Sequence, residues 1–137
     1  MGNGQDILIA NSDSDEAMHL ADMIRSAKCR SRSCRSLTDL MALLSNTSFL
    51  AVIMDIDNLD IDNRTIRSLT LAYPDVSFLC TSSERFHPEL QEALRDHIFA
   101  CITKPVDPEE MLYWIRCIRE NRKDSKNLPE YRPEEGA

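Results

Sequence analysis

Glycine is almost absent from the interior of this 137-residue sequence, whose three glycines are Gly2, Gly4 and Gly136. A glycine-rich phosphate-binding loop needs several glycines between a strand and a helix, because they let backbone N–H groups approach the phosphate closely. A nucleophile elbow likewise places its serine between two glycines. The sequence therefore excludes nucleotide-binding enzymes with such loops and hydrolases with such an elbow, and it disfavours a flavodoxin-like flavin carrier.

The sequence also lacks paired cysteines at metal-binding spacing, since none of its five cysteines forms a CxxC motif. Structural zinc sites usually take two ligands from such closely spaced pairs. Cys80 and Cys101 lie in apolar runs, and Cys117 lies in a helical pattern. We interpret these three as small buried hydrophobic residues of a protein in a reducing cytoplasm.

An excess of positive charge and long apolar runs are missing as well. The sequence has 16 basic and 23 acidic residues, a net charge of −7, which argues against direct binding to nucleic acid or to an anionic membrane surface. Its apolar runs are far shorter than the ~18 residues of a membrane-spanning helix. Residues 1–5 have no signal-peptide pattern. We expect a cytoplasmic protein that contacts neither membrane nor nucleic acid.

Four nearly continuous apolar runs predict strands that are buried on both faces, as in a parallel sheet covered by helices. They are residues 7–10, 50–54, 76–80 and 98–102. Residues 30–35 alternate basic and small side chains. This alternation predicts a fifth, short strand at an edge of the sheet, with its arginines facing solvent.

Apolar residues recur at helical spacing between these strands and predict five helices. Their positions are Ala17, Leu20, Ala21, Ile24 and Ala27; Leu37, Leu40, Met41 and Leu44; Ile66, Leu69 and Tyr73; Leu90, Ala93, Leu94 and His97; and Met111, Ile115 and Ile118. Strands and helices that alternate in this way form a parallel sheet with helices on both faces. The predicted fold is therefore α/β, a five-stranded parallel sheet flanked by five helices in a (βα)5, flavodoxin-like arrangement.

The alternation of strands and helices spans residues 6–122, which we interpret as one domain. Residues 1–5 precede it as an N-terminal tail. Residues 123–137 contain two prolines, many charges and few apolar side chains, and we interpret them as a flexible C-terminal tail or linker.

Polar side chains follow three of the predicted strands. Asp55 ends the third strand, Thr81-Ser82 the fourth and Lys104-Pro105 the fifth. The carboxyl ends of parallel strands meet at one edge of the sheet, where such folds place their functional groups. This set suits phosphoryl transfer onto a carboxylate, with Asp55 as the nucleophile and with Thr81 and Lys104 stabilising charge on the phosphoryl oxygens.

These motifs resemble those of the receiver domain of bacterial response regulators, the CheY-like family of two-component signalling, over residues 6–122. The resemblance implies that Asp55 accepts a phosphoryl group from a histidine kinase or a phosphotransfer protein, and that Thr81 and Lys104 read the phosphate. It implies a signalling module rather than an enzyme, one that switches its interaction surface on phosphorylation. A homodimer of such a module is expected to form through its last two helices and fifth strand.

Three neighbouring positions take structural or switching roles through the same resemblance. The bond between Lys104 and Pro105 is expected to be cis. Ser82 directly follows Thr81 at the end of the fourth strand. Cys101 lies three residues before the lysine, where the family often has an aromatic side chain that reports switching.

The resemblance also implies a Mg²⁺ ion, held by Asp55, by the backbone carbonyl of Asp57 and by an acidic pair after the first strand. In this sequence the acidic-pair positions are taken by Asn11 and Ser12. Loss of these charges weakens a magnesium site. Asp13 is a candidate replacement ligand, but we favour its interpretation as a cap of the first helix.

The neutral Asn11 and Ser12 leave a second hypothesis open. In it the chain is a pseudo-receiver, which acts as a protein-interaction or dimerisation module without being phosphorylated.

Overall fold

The structure, a computed structural model, describes residues 6–84 and 98–121. Its strands are β1 (Ile7–Ala10), β2 (Ser31–Cys34), β3 (Ala51–Asp55), β4 (Ser77–Ser82) and β5 (Ala100–Thr103). They form one sheet in the order β2-β1-β3-β4-β5, and every neighbouring pair is parallel. This topology confirms the predicted flavodoxin-like sheet.

Four helices lie within this part of the chain: α1 (Ser14–Ser26), α2 (Leu37–Asn46), α3 (Asn63–Ala72) and α4 (Pro108–Asn121). The additional helix predicted around residues 90–97, and the tails predicted at residues 1–5 and 123–137, lie outside the described residues. None of these four helices combines the length and the apolar character that a bilayer crossing requires.

The sheet is covered on both faces because successive residues of a strand point to opposite sides. On one face, Leu8 and Val52 join an apolar layer with side chains of α2 and α3. On the other face, Ile7 and Ile53 join a second layer with side chains of α1 and α4. Full burial of an aliphatic side chain contributes about 1.5–3 kcal/mol, so these two layers hold the strands, and therefore their carboxyl ends, in fixed register.

The outer strand β2 has the character predicted for an edge. Arg32 and Ser33 are exposed, whereas Cys34 at the end of the strand is buried against the core. Charged side chains on an edge strand hinder pairing with another chain. The basic residues at this position are thus consistent with a solvent-facing edge.

Three helices begin at a side chain that accepts backbone N–H groups of the first turn. Asp13 caps α1 by accepting from the N–H groups of Asp15 and Glu16. Ser36 caps α2, and Asp62 caps α3. Because such a cap satisfies donors that the helix itself leaves unpaired, Asp13 has the capping role that the sequence offered as one of its two interpretations.

The C-terminal end of α1 is tied to α4. Lys28 follows the helix with a positive φ of 63°, a conformation that favours glycine. The guanidinium of Arg119, on α4, donates to the carbonyl oxygens of Ala27 and Lys28 at 2.9 and 3.3 Å and contacts Cys29 Sγ at 2.6 Å. A helix end whose carbonyls lack intrahelical partners is thereby satisfied from a neighbouring helix.

The carboxyl ends of the strands come together as the topology requires. Asp55 pairs with Thr81 in register between β3 and β4, and Ser82 pairs with Thr103 between β4 and β5. The backbone N–H of Lys104 donates to the carbonyl oxygen of Ser82 at 2.9 Å. The polar residues that end three strands therefore start from neighbouring positions on one edge of the sheet.

Candidate functional site

The centre of the site is Asp55, a carboxylate that is only 1% exposed. Its Oδ1 accepts a hydrogen bond from Thr81 Oγ1 at 2.8 Å and forms an ion pair with Lys104 Nζ at 2.9 Å. Its Oδ2 accepts from the backbone N–H of Asn58 at 2.8 Å. The structure thus brings together the three side chains that the sequence placed at the ends of the third, fourth and fifth strands.

Lys104 is shared among three carboxylates. Its Nζ lies 2.9 Å from Asp55 Oδ1, 3.0 Å from Asp57 Oδ2 and 3.1 Å from Glu16 Oε1. Burial lowers the pKa of Lys104, but the hydrogen bonds with the three carboxylates outweigh burial and raise the pKa well above its ordinary value of 10.5. The lysine is therefore a fixed positive charge at any physiological pH.

Asp57 enters the site through its side chain. Its Oδ1 accepts from Ser82 Oγ at 3.1 Å, and its Oδ2 accepts from the backbone N–H of Ser83 at 2.8 Å and from Lys104. Burial raises the pKa of Asp57, but the bonds from Lys104 and Ser83 outweigh it and lower the pKa below its ordinary value of 3.8. The role predicted for Asp57 through its backbone carbonyl stays a prediction.

Glu16, on the first turn of α1, belongs to the site and was missed by the sequence analysis. Its Oε1 accepts from the side-chain amides of Asn11 at 3.0 Å and Asn58 at 3.2 Å, in addition to Lys104. The sequence contains only a weak indication of this role. Glu16 lies five residues after Asn11, in the first turn of α1, and this spacing allows its side chain to return to the end of β1. Nothing in that spacing shows that Lys104, 88 residues away, reaches the same carboxylate.

Asn11 and Ser12, at the positions of the missing acidic pair, form hydrogen bonds with the loops after β1 and β3. Asn11 is 1% exposed, and its Oδ1 accepts from the backbone N–H of Asp13 at 2.9 Å and from Asn58 Nδ2 at 3.1 Å. Ser12 Oγ donates to the carbonyl oxygen of Asn58 at 3.0 Å. Asn11 and Ser12 therefore bind the loop after β1 to the loop after β3 by neutral hydrogen bonds.

With Lys104 in place, the arrangement of these residues does not fit a magnesium ion. Within residues 6–84 and 98–121, no three Asp, Glu, His or Cys side chains are arranged to hold a metal ion. The point on which Asp55, Asp57 and Glu16 converge is taken by the ammonium of Lys104. Asp13, the candidate replacement ligand, has an exposed carboxylate that is occupied in capping α1.

The remaining predicted positions lie close to this pocket. The Lys104–Pro105 bond is cis. Ser82 is buried and hydrogen-bonded to Asp57, as described above. Cys101 is half-buried on β5, and burial followed by the charges of Asp57 and Glu110 raises the pKa of its thiol. The switching role suggested for Cys101 stays a prediction.

An open cleft of about 690 Å³ leads to the pocket. Glu16, Asp57 and Lys104 line its polar end, while Leu20 and Val106 contribute to an apolar wall. The cleft therefore combines apolar side chains with the charged groups around Asp55.

No protein-family model matches this sequence, and no curated protein matches it. Solved structures match its fold. A signal receiver domain of an HD domain-containing protein from Pseudomonas fluorescens Pf-5 has a TM-score of 0.78 at 18% identity, with 88% of this chain and 98% of that chain covered. A CheY-like response regulator receiver domain protein from Methanospirillum hungatei JF-1 has a TM-score of 0.79 at 16% identity, with 90% and 99% covered.

A longer protein is also similar. The response regulator DrrB, an OmpR/PhoB homologue from Thermotoga maritima, has a TM-score of 0.70 at 14% identity, with 90% of this chain and 54% of DrrB covered. Similarity at these identities concerns the fold. The chain has the fold of a response-regulator receiver domain, as the resemblance of its strand-end motifs implied.

Proposed function

We propose that this chain is a receiver module that accepts a phosphoryl group on Asp55 from the phosphohistidine of a histidine kinase or a phosphotransfer protein. The observation that carries the proposal is the pair of donors on a single oxygen. Thr81 Oγ1 and Lys104 Nζ both contact Asp55 Oδ1, at 2.8 and 2.9 Å. One hydroxyl and one ammonium beside a buried carboxylate are the groups that a phosphoryl group attached there requires.

The transfer itself is a displacement at phosphorus. An oxygen of Asp55 forms the new P–O bond, and the P–N bond of the donor breaks with its electron pair going to the imidazole nitrogen. Lys104 stabilises the charge on the phosphoryl oxygens, and Thr81 can turn its hydroxyl from the carboxylate to one of these oxygens. The chain is thus a signalling module and not an enzyme with a separate substrate.

The surface that contacts a partner is expected near the residues whose bonds change when Asp55 gains the charge of a phosphoryl group. Phosphorylation of Asp55 alters the bonds of Thr81 on β4 and of Lys104 next to β5, so we expect the surface formed by β5 and the helices around it to change its partner preference. A homodimer through the last two helices and the fifth strand remains a prediction. One of those helices is predicted outside the described residues.

A phosphodonor test addresses the proposal directly. The protein is incubated with acetyl phosphate or phosphoramidate, with and without Mg²⁺, and its intact mass is measured. We expect the mass of one phosphoryl group to be added to the wild type and to Asp60→Asn, which changes an exposed carboxylate of the same loop. The Asp55→Asn variant should stay unmodified. Phosphate on that variant, or on none of the proteins, contradicts the proposal.

A second candidate function rests on a specific observation. Asn11 and Ser12 are neutral, and Lys104 is already paired with Glu16 as well as with Asp55 and Asp57. A pocket in which the lysine is already paired with the protein's own carboxylates suits a phosphorylation-independent interaction module. In that case the phosphodonor leaves the mass of the wild type unchanged, and the partner or second copy that it binds also binds Asp55→Asn equally well.

A further inference from the structure

Every carboxylate oxygen around Lys104 already has a partner from the protein. The two oxygens of Asp55 and the two oxygens of Asp57 accept from hydroxyl, backbone N–H and ammonium donors. Both oxygens of Glu16 lie within 3.3 Å of Lys104 Nζ. The Asp55 carboxylate is buried, whereas those of Asp57 and Glu16 are partly exposed, and each of the three is stabilised by the donors that it accepts from. A metal ion would compete with these donors for the same oxygens.

The amide groups beside Glu16 present donors to it, and their orientation is fixed by a backbone group. The N–H of Asp13 can only donate, so the atom of Asn11 that it contacts must be Oδ1. The amino group of Asn11 then faces Glu16. The same Oδ1 accepts from Asn58, which turns the amino group of Asn58 towards Glu16 as well. The surroundings of Glu16 are therefore built to hold an anion.

We propose that Lys104 is the resident cation of this pocket and that Glu16 is the positioning residue that keeps it there, so that the pocket is held together without a divalent metal. In this arrangement Glu16 does not replace the missing acidic pair as a metal ligand. It is anchored by Asn11 and Asn58, and it anchors Lys104 in turn over Asp55 and Asp57.

Charge explains why the lysine and a metal ion compete. Three carboxylates and one ammonium leave the pocket with a formal charge of −2. The ammonium is tethered to β5, whereas a metal ion must come from solution and lose water to take the same oxygens. Removal of the ammonium would leave the carboxylates without a cation. A divalent ion should then bind where it does not bind in the wild type.

The inference is tested by metal titration without any phosphodonor, so its result does not depend on whether Asp55 is phosphorylated. Calorimetry and thermal unfolding are followed with Mg²⁺ and with Mn²⁺ for the wild type and for Lys104→Met. Lys28→Met, which removes an exposed lysine far along the sequence, is the matched control. We expect neither metal to shift the unfolding temperature of the wild type or of the control.

Lys104→Met should unfold at a lower temperature than the wild type without metal and should recover with either metal, with an affinity at least roughly tenfold above that of the wild type. The double variant Glu16→Gln/Lys104→Met should recover less, because one of the three carboxylates is lost. A wild type that binds Mg²⁺ as tightly as Lys104→Met overturns the proposal.

A second measurement remains available if Lys104→Met does not fold. The ammonium protons of Lys104 should be protected from exchange in the nuclear magnetic resonance spectrum of the wild type, because three carboxylates hold them. Glu16→Gln should increase their exchange rate severalfold, whereas Asp15→Asn, on the exposed side of the same helical turn, should not. Equal protection in Glu16→Gln would show that Glu16 does not position the lysine.

Discussion

Thr81 supplies the hydroxyl that shares Asp55 Oδ1 with Lys104. The residue is only 1% exposed, and it lines the cleft described above. We expect Thr81→Ala to lower the free energy of unfolding by about 1–3 kcal/mol, because a buried acceptor loses a donor. Thr81→Ser keeps the hydroxyl and should lose only the contribution of one methyl group, about 1 kcal/mol. Urea unfolding of both variants measures the difference, and equal losses would argue against a structural role for the hydroxyl.

Asp57 gives the site a defined dependence on acid. Its pKa is lower in the folded protein than the ordinary value of 3.8. At a pH near these pKa values, the folded state therefore binds fewer protons than the unfolded state. The stabilisation is complete above about pH 5 and is lost as the pH falls through the folded pKa. We expect the free energy of unfolding to fall below pH 4, and to fall less steeply in Asp57→Asn. Urea unfolding at several acidic pH values tests this, and identical slopes for the two proteins would contradict it.

The sequence predicted some residues of the pocket for a simple reason. Asp55, Thr81 and Lys104 each end a strand, and the ends of neighbouring parallel strands meet. Glu16 could not be predicted in the same way, since its contact with Lys104 depends on how far two long side chains reach across the pocket. The side-chain role of Asp57 was missed for the same reason.

The connection that follows α1 carries the one positive φ among the non-glycine residues described, at Lys28. A residue with a Cβ atom in the left-handed conformation is less stable than glycine there by about 1–2 kcal/mol. Glycine offsets part of this gain, because it increases the conformational entropy of the unfolded chain. We expect Lys28→Gly to raise the free energy of unfolding by about 0.5–1 kcal/mol. Arg25→Gly, inside the same helix, should lower it by about 1 kcal/mol. Thermal or urea unfolding compares the two, and destabilisation by both would show that the turn does not favour glycine.

Elements were more predictable than their exact bounds. The pattern of apolar residues identified α1, and Asp13 marked where it begins, because a cap and a repeating apolar face are both local signals. The apolar run at residues 76–80 marked β4, and Thr81-Ser82 was placed at its end; the strand extends over Ser77–Ser82. Its last two residues are polar in sequence but buried in the fold, because they face the pocket formed by the neighbouring strands.

The molecule as a whole keeps most of its thiols in the core. Cys29, Cys34, Cys80 and Cys117 are buried, and Cys101 is half-buried. Burial, together with the charge of Asp39, raises the pKa of Cys34 from 9.0 to about 11. Burial also raises the pKa of Cys80 well above 9.0. The burial of Cys80 and Cys117 agrees with their interpretation as small buried hydrophobic residues, whereas Cys101 is only half-buried.

Thiol labelling measures this property of the whole fold. At neutral pH we expect Cys34 in the native protein to react with a thiol reagent at least about a hundredfold more slowly than in the urea-unfolded chain, because its thiolate is that much rarer. Cys101, which is half-buried, should react faster than Cys34 and Cys80. Mass spectrometry of peptides after brief labelling gives the rate for each residue. Rapid labelling of Cys34 or Cys80 in the native protein would contradict the burial described.

The sheet continues one hydrogen bond past the strand ends that frame the pocket. The carbonyl oxygen of Thr81 accepts from the N–H of Ile56, and that of Ser82 accepts from the N–H of Lys104, both at 2.9 Å. The main chain at Thr81 and Ser82 is thus hydrogen-bonded to the segments that follow both neighbouring strands, β3 and β5. If a new group arrives on Asp55, the threonine can follow it by turning about its Cα–Cβ bond, while the strand beneath it stays where it is.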